Sequence, residues 1–148
     1  MRIAVLFLFV GLIMTSCESY LSGPMKDRVN GWASQTGFTA SANLIFHDVS
    51  VVKAAIGRGD TASAKTDCVV LGDDVQSANG NLPTPYEPMT LDLANGYSDL
   101  YGAAISCYHD GSASNVQKLK IDLNSMNNAL SKITQARQLG SNVAGKNL

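Results

Sequence analysis

The apolar residues of this chain recur at alternating intervals of three and four positions, and this spacing restricts the fold more than any other feature. One series runs through residues 64–78 and another through residues 93–107, each with intervals of 4, 3, 4 and 3. In a helix these intervals place the apolar side chains on one stripe, whereas a half-buried strand requires an interval of two. The sequence therefore predicts an all-α fold in which each helix buries one face.

Glycine, proline and capping residues divide this pattern into four to five helices. A short helix begins at Pro24, ends near Gln35 and buries Met25, Val29 and Trp32. Three further helices are predicted over residues 39–55, 61–78 and 88–109. After a turn at His109-Asp110-Gly111, the last helix begins at Ser112 or Ser114, ends near Leu139 and carries the stripe Val116, Leu119, Leu123, Met126, Leu130 and Ile133. We expect a small antiparallel helical bundle over residues 24–140 and a frayed tail over residues 141–148.

The first residues have the pattern of an export signal. Arg2 precedes twelve apolar residues, 3–14, and this run is shorter than the roughly 17–25 residues of a membrane-spanning helix. The following Met14-Thr15-Ser16-Cys17 resembles the bacterial lipobox. That resemblance implies a cleaved signal peptide over residues 1–16, a lipidated Cys17, and residues 17–23 as the lipidated end and a short tether. Ordinary secretion and a retained N-terminal helix are the alternatives.

A lipidated Cys17 would fix the location of the mature protein. Two or three acyl chains, such as palmitate, hold a protein to a bilayer where a single chain would not. The expected partner at this end is therefore the lipid bilayer, and the expected location is the extracytoplasmic face of the cell membrane. The tether from Glu18 to Gly23 reaches about 20 Å when fully extended, which keeps the folded part close to the bilayer.

Two cysteines remain once Cys17 is acylated, and in an exported protein such a pair most often forms a disulfide. We predict a bond between Cys68 and Cys107. A metal site would need more ligands than these two with His47 and His109, so no metal or cofactor is expected. In an ideal hairpin the two cysteines would differ in height by about 13 Å, so the fourth helix must extend past the third.

Charge is unevenly distributed along the chain. Residues 60–110 hold eight acidic residues against Lys65, and residues 111–148 hold five basic residues against Asp122. The simplest interpretation is that a basic last helix packs beside an acidic hairpin, and the alternative is an acidic docking face. The net charge of −1 does not indicate a nucleic-acid partner.

Few residues suggest chemistry. The sequence has no Gly-x-Ser-x-Gly elbow, no phosphate-binding Gly-rich loop and no His-Glu-x-x-His motif, so we expect a non-enzymatic protein. Asp73 and Asp74 are adjacent in a helix and point about 100° apart, so they are not a facing acid/base pair. With Tyr101 and Tyr108 they form the candidate interaction face, although tyrosines at helical spacing are also typical of a core edge.

Four segments carry a wider resemblance: Asp67-Cys68-Val69-Val70-Leu71, Leu82-Pro83-Thr84-Pro85, residues 101–107 and the amphipathic last helix. Over about residues 60–135 the chain resembles the small lipobox-anchored lipoproteins of actinobacteria and their temperate phages. The resemblance implies a disulfide-linked helical domain and supplies no catalytic residue.

Three functions fit these features. The first is a surface module that binds another envelope protein or a polymer. The second is a prophage-encoded superinfection-exclusion lipoprotein acting on an incoming phage component. The third is a structural protein of the envelope.

Overall fold

Five α-helices follow one another in the computed structural model, which describes residues 22–148. They span Met25–Gln35 (α1), Phe38–Gly57 (α2), Thr61–Asn79 (α3), Glu87–Ser112 (α4) and Val116–Ala144 (α5). Helices α2 to α5 form an antiparallel bundle, because three-residue loops join α2 to α3 and α4 to α5. Helix α1 packs across α2 and α5. The predicted all-α bundle is confirmed.

The predicted signal peptide and the lipidated Cys17 lie outside the described residues, as does most of the tether. Within residues 22–148, no helix is both long enough and apolar enough to span a membrane.

The apolar stripes predicted for α2, α3 and α4 form the core. Every member is buried: Ala42, Ile45, Val49, Val52 and Ile56 in α2, Ala64, Cys68, Leu71, Val75 and Ala78 in α3, and Leu93, Tyr97, Leu100, Ala104 and Cys107 in α4. Side chains at these intervals lie on one face of each helix, so they bury together when the helices pack. Helix α4 lies between α3 and α5 and makes the most extensive contacts of the five.

The buried seam of α5 differs from the predicted stripe. Leu119, Met126 and Ile133 are buried as expected, but the seam continues through Asp122 and Ala129. Leu123 and Leu130 are only partly buried against the core. The small Ala129 sits at the centre of the seam because α5 approaches α4 closely there, beside Gly96.

The disulfide between Cys68 and Cys107 is present, with Cα atoms 6.1 Å apart. It links α3 to α4 in the expected staggered arrangement. Gly72 lies opposite Tyr101 and Ala104, so the register places the end of α3 near residue 96 of α4. The first nine residues of α4, about 13 Å of helix, therefore extend past α3, as predicted.

The end of α4 corrects the sequence prediction. The turn expected at His109-Asp110-Gly111 is wrong, because α4 continues through these residues to Ser112. A Cβ on Gly111 would lie 3.1 Å from the Lys65 Cα atom and 3.2 Å from the Thr61 carbonyl oxygen. This glycine thus allows close packing of α4 on α3. Helix α5 is capped by Asn115, whose side-chain oxygen accepts a hydrogen bond from the Lys118 N–H at 3.1 Å.

The tail after residue 140 is ordered, so the expectation of a frayed segment is wrong. Helix α5 continues to Ala144, where Gly145 takes the left-handed conformation that commonly ends a helix. The Arg137 guanidinium donates two hydrogen bonds to the Leu148 carbonyl oxygen, at 2.7 and 2.9 Å. The Leu148 side chain is buried beside Gly140. These contacts fold the last residues back onto α5.

Helix α1 closes one end of the bundle. Trp32 is buried, and its Nε1 donates a hydrogen bond of 3.0 Å to the carbonyl oxygen of Asn81, in the connector after α3. The expected burial of Met25 is wrong, since this side chain is 38% exposed. Helix α1 meets the core only from Val29 onward. It lies beside the end of α5, where the Asn30 Nδ2 donates a hydrogen bond of 3.2 Å to the carbonyl oxygen of Ala144.

Candidate functional site

A shallow groove runs between α3 and α4 on the outer side of the disulfide. Its volume is about 160 Å³, and its lining combines small, apolar, phenolic and acidic side chains: Cys68, Val69, Gly72, Asp73, Tyr101, Ala104, Ile105 and Tyr108. Val69, Ile105 and Tyr108 are exposed although they are large and apolar. Gly72 on α3 and Ala104 on α4 face each other. The groove exists because these two small residues leave space between the helices.

Three of the four residues of the predicted interaction face line this groove. Asp73 comes from α3, and Tyr101 and Tyr108 come from α4. Asp74 does not line the groove. It is half-buried and faces α2, because consecutive helical residues point about 100° apart. The structure therefore divides the predicted face between the groove and the α2–α3 contact.

Asp74 faces a buried carboxyl that the sequence interpretation missed. Asp48 on α2 is only 7% exposed, and its Oδ2 has no hydrogen-bond partner among residues 22–148. Burial is the largest cause that raises the pKa of Asp48 to about 6. The hydrogen bond to Asp74 and the negative charges of Asp74 and Asp67 contribute to this rise, while His47 acts in the opposite direction. Two carboxyl groups can hydrogen-bond only when one carries a proton, so this contact favours a protonated Asp48.

A second pair of carboxyl groups joins α4 to α5. Asp122 is 8% exposed, and its Oδ2 also lacks a hydrogen-bond partner within the described part of the chain. Burial raises the pKa of Asp122 to about 6, with a smaller contribution from Asp110. Lys118 opposes this rise and lies 3.7 Å from the Asp110 carboxylate. Each hairpin of the bundle thus holds one carboxyl pair across its two helices.

We expect the protein to be more stable at pH 5 than at pH 7.5. The folded-state pKa values of Asp48 and Asp122, about 6, lie above the ordinary value of 3.8, so the folded state binds more protons between these limits. The resulting stabilisation is complete below about pH 4 and is lost as the pH rises through 6, at about 1–2 kcal/mol for each group. Urea denaturation of the purified protein across this range measures the effect.

The variant Asp48→Asn provides the control for that pH dependence. Asparagine has the shape of the protonated carboxyl and can donate to Asp74, so the variant should gain about 1 kcal/mol at pH 7.5 and lose part of the pH dependence. The matched variant Asp73→Asn changes an exposed carboxyl of α3 and should leave stability within about 0.5 kcal/mol. A wild-type protein that is equally stable at both pH values would contradict this account.

The sequence contained a signal for these buried acids. Asp122 lies three residues after Leu119 and four before Met126, which is a position on the apolar stripe itself. Asp48 lies three residues after Ile45 and four before Val52, with the same consequence. An acid at a stripe position indicates a buried carboxyl that requires a partner, whereas composition alone assigns it to the surface.

The uneven charge of the sequence corresponds to contacts between α4 and α5. Lys118 pairs with Asp110, and Lys132 pairs with Asp99. These are the ion pairs found among residues 22–148, and both join the basic last helix to the acidic hairpin as the simpler interpretation predicted. Asp73 takes part in neither of them, so its charge remains available at the groove.

Comparison with known proteins adds no assignment to this geometry. Within the described part of the chain, no three His, Cys, Asp or Glu side chains are grouped in a way that could hold a metal ion. No family model, no curated protein and no solved structure matches this chain.

Proposed function

We propose that this chain is a lipid-anchored, non-enzymatic binding module of the bacterial cell envelope, and that it holds a protein partner at the α3–α4 groove. The groove is the observation that carries the proposal. At about 160 Å³ it is smaller than the roughly 300–1,000 Å³ of pockets that enclose a drug-sized ligand. Its size therefore suits a side chain projecting from another protein.

The surroundings of the groove favour a protein partner. Val69, Ile105 and Tyr108 remain exposed at its edges, and Val70 is exposed next to them on α3. Large apolar side chains grouped around a concavity, with aromatic rings among them, are typical of the anchor regions of protein interfaces. Binding would remove this apolar surface from water, which stabilises the complex.

The anchor is proposed from the sequence, and one substitution tests it. In cells that express the chain, Cys17→Ala should move the protein from the membrane fraction to the soluble or secreted fraction. It should also abolish labelling with radioactive palmitate, because alanine offers no thiol for acylation. Far-UV circular dichroism of the purified variant checks that the folded part keeps its helical structure. A Cys17→Ala protein that remains in the membrane would contradict the anchor.

Site-specific cross-linking tests the binding role. A photoreactive phenylalanine analogue at Ile105 places the probe at the edge of the groove, in the native, membrane-bound protein. The matched control carries the same analogue at Leu91, an exposed apolar residue of the same helix that lies outside the groove. We expect a discrete cross-linked species from position 105 and none from position 91.

The variant Gly72→Leu provides a further check in the same cells. Its side chain would occupy the groove beside Tyr101, where a Cβ already lies 3.7 Å from the ring. The cross-link from position 105 should then disappear while the protein remains in the membrane. Equal cross-linking from positions 105 and 91, or a cross-link unaffected by Gly72→Leu, would contradict binding at this groove.

A further inference from the structure

We propose that the α3–α4 groove receives the side chain of an arginine presented by the protein partner. This inference rests on the proposed function and specifies the chemistry of the group that the groove recognises. Its basis is a shallow apolar cleft that has phenol rings along one side and an unpaired carboxylate on the other.

The dimensions of the groove suit one long side chain. It is lined by the disulfide-bonded Cys68 and by two small residues, Gly72 and Ala104. An aliphatic stem can lie along such a surface while the charged end stays near water. The groove thus accommodates a side chain that is apolar along its length and polar at its tip.

The two tyrosines provide surfaces that attract cations. Tyr101 and Tyr108 are seven residues apart in α4, so they lie on the same side of the helix about 10 Å from each other. The face of a phenol ring attracts a positive charge, and guanidinium groups stack on such faces readily. Tyr108 already makes this interaction, because the Lys65 ammonium lies 5.0 Å from its ring centroid. Tyr101 is left for an incoming cation.

The charge of the groove selects a positive partner. Asp73 lines the groove, is exposed and takes part in no ion pair among residues 22–148. It is the acidic residue of the groove lining, which contains no basic residue. Complementary charge steers an approaching partner and sets its orientation.

Arginine fits this set better than other cations. Its planar guanidinium can stack on the Tyr101 ring and donate two parallel hydrogen bonds to the Asp73 carboxylate. The compact lysine ammonium is more strongly hydrated and does not stack in this way. Quaternary ammonium groups are recognised by cages of several rings around the cation. Here the two rings lie along one wall of a cleft, so they do not form such a cage.

A titration with a side-chain analogue tests the assignment. The purified protein, labelled with ¹⁵N, is titrated with N-acetyl-arginine N-methylamide while the amide resonances of Gly72 and Ile105 are followed by NMR. We expect saturable shifts at these positions with a dissociation constant in the millimolar range. N-acetyl-citrulline N-methylamide has nearly the same shape and no charge, and it should bind about tenfold more weakly, since hydrogen bonds to charged groups are the stronger ones.

Two carboxyl variants localise the binding. Asp73→Asn removes the charge without changing the shape and should weaken arginine binding at least about fivefold. Asp92→Asn, the matched control, alters an acid in the part of α4 that extends past α3, outside the groove lining, and it should leave binding unchanged. Circular dichroism and thermal unfolding confirm that both variants are folded.

Several results would overturn the assignment. They are equal binding of the arginine and citrulline amides, unchanged binding by Asp73→Asn, and stronger binding of tetramethylammonium, which would indicate a lipid head group. The proposed function is tested separately by the cross-link at Ile105. A cross-link without a preference for arginine would retain the binding module and remove only the arginine, whereas loss of the cross-link would remove the binding role itself.

Discussion

Reduction of the Cys68–Cys107 disulfide is expected to lower the free energy of unfolding by about 4 kcal/mol. The bond closes a loop between residues 39 positions apart, and a crosslink of that length restricts the unfolded chain by roughly this amount in the loop-entropy model. It also joins the two hairpins of the bundle, since one cysteine belongs to α3 and the other to α4. A loss of this size is a large part of the total stability of a small domain.

Urea denaturation with and without a phosphine reductant measures this loss. The double variant Cys68→Ala/Cys107→Ala is the control, because its midpoint should be low and should not respond to the reductant. The helical circular dichroism signal before the transition shows whether the reduced protein still folds. An unchanged midpoint after complete reduction, verified by thiol titration, would show that the crosslink does not restrict the unfolded chain as argued.

The same substitution at two glycines of α4 is expected to have opposite effects. Gly96→Ala should destabilise the protein by about 2 kcal/mol, because the added Cβ would lie 2.8 Å from Cγ1 of Ile133 and 3.3 Å from its backbone nitrogen. Ile133 is fully buried and β-branched, so its side chain has little freedom to move away. Gly102→Ala meets no atom within 4 Å and should stabilise the helix by about 0.5–1 kcal/mol.

The difference between the two variants, about 3 kcal/mol, isolates packing from helix propensity. Both replacements give the same gain in intrinsic helicity, and they differ only in what the new methyl group contacts. Chemical denaturation of the two purified variants beside the wild type measures the difference. If both substitutions stabilised the protein, α5 would have to shift away from α4 at little energetic cost, and the close contact at Gly96 would not be a constraint.

Hydrophobic spacing was sufficient to predict the helices and most of the core. The stripes of α2, α3 and α4 are buried throughout because each follows the helical period without interruption. In α5 the period alone could not distinguish Leu123 from Asp122, since both positions lie near the stripe. In the structure, α5 approaches α4 closely with the side that carries Asp122 and Ala129. This close approach is possible because Gly96 on α4 has no side chain.

The errors at helix ends have a common physical origin. The sequence predicts a turn that includes Gly111 and a last helix that ends near Leu139, directly before Gly140, because a glycine near the end of a pattern most often indicates a helix break. In the structure both lie inside helices and serve close approach: Gly111 to Lys65 and Thr61, and Gly140 to Met89 and Leu148. Whether a glycine ends a helix or receives a neighbour depends on tertiary packing, which a local pattern does not contain.

The groove was predictable in part from the predicted disulfide. Pairing Cys68 with Cys107 fixes the register of two antiparallel helices, and that register places Asp73 near Tyr101. The candidate face included these residues for their charge and spacing. The 100° angle between Asp73 and Asp74 follows from the sequence, but the sequence analysis did not identify which of the two faces the groove.

The stagger of the helices also determines the distance between the groove and the end of the bundle where α1 begins. In the proposed anchored state, the tether would join the bundle at the end where α1 begins, beside the end of α5 and close to Met89, which contacts Gly140. Ile105 is sixteen residues farther along α4, a distance of about 24 Å. The proposed anchor and the groove would thus lie at separate parts of the bundle, so that a partner could occupy the groove without displacing the attached end.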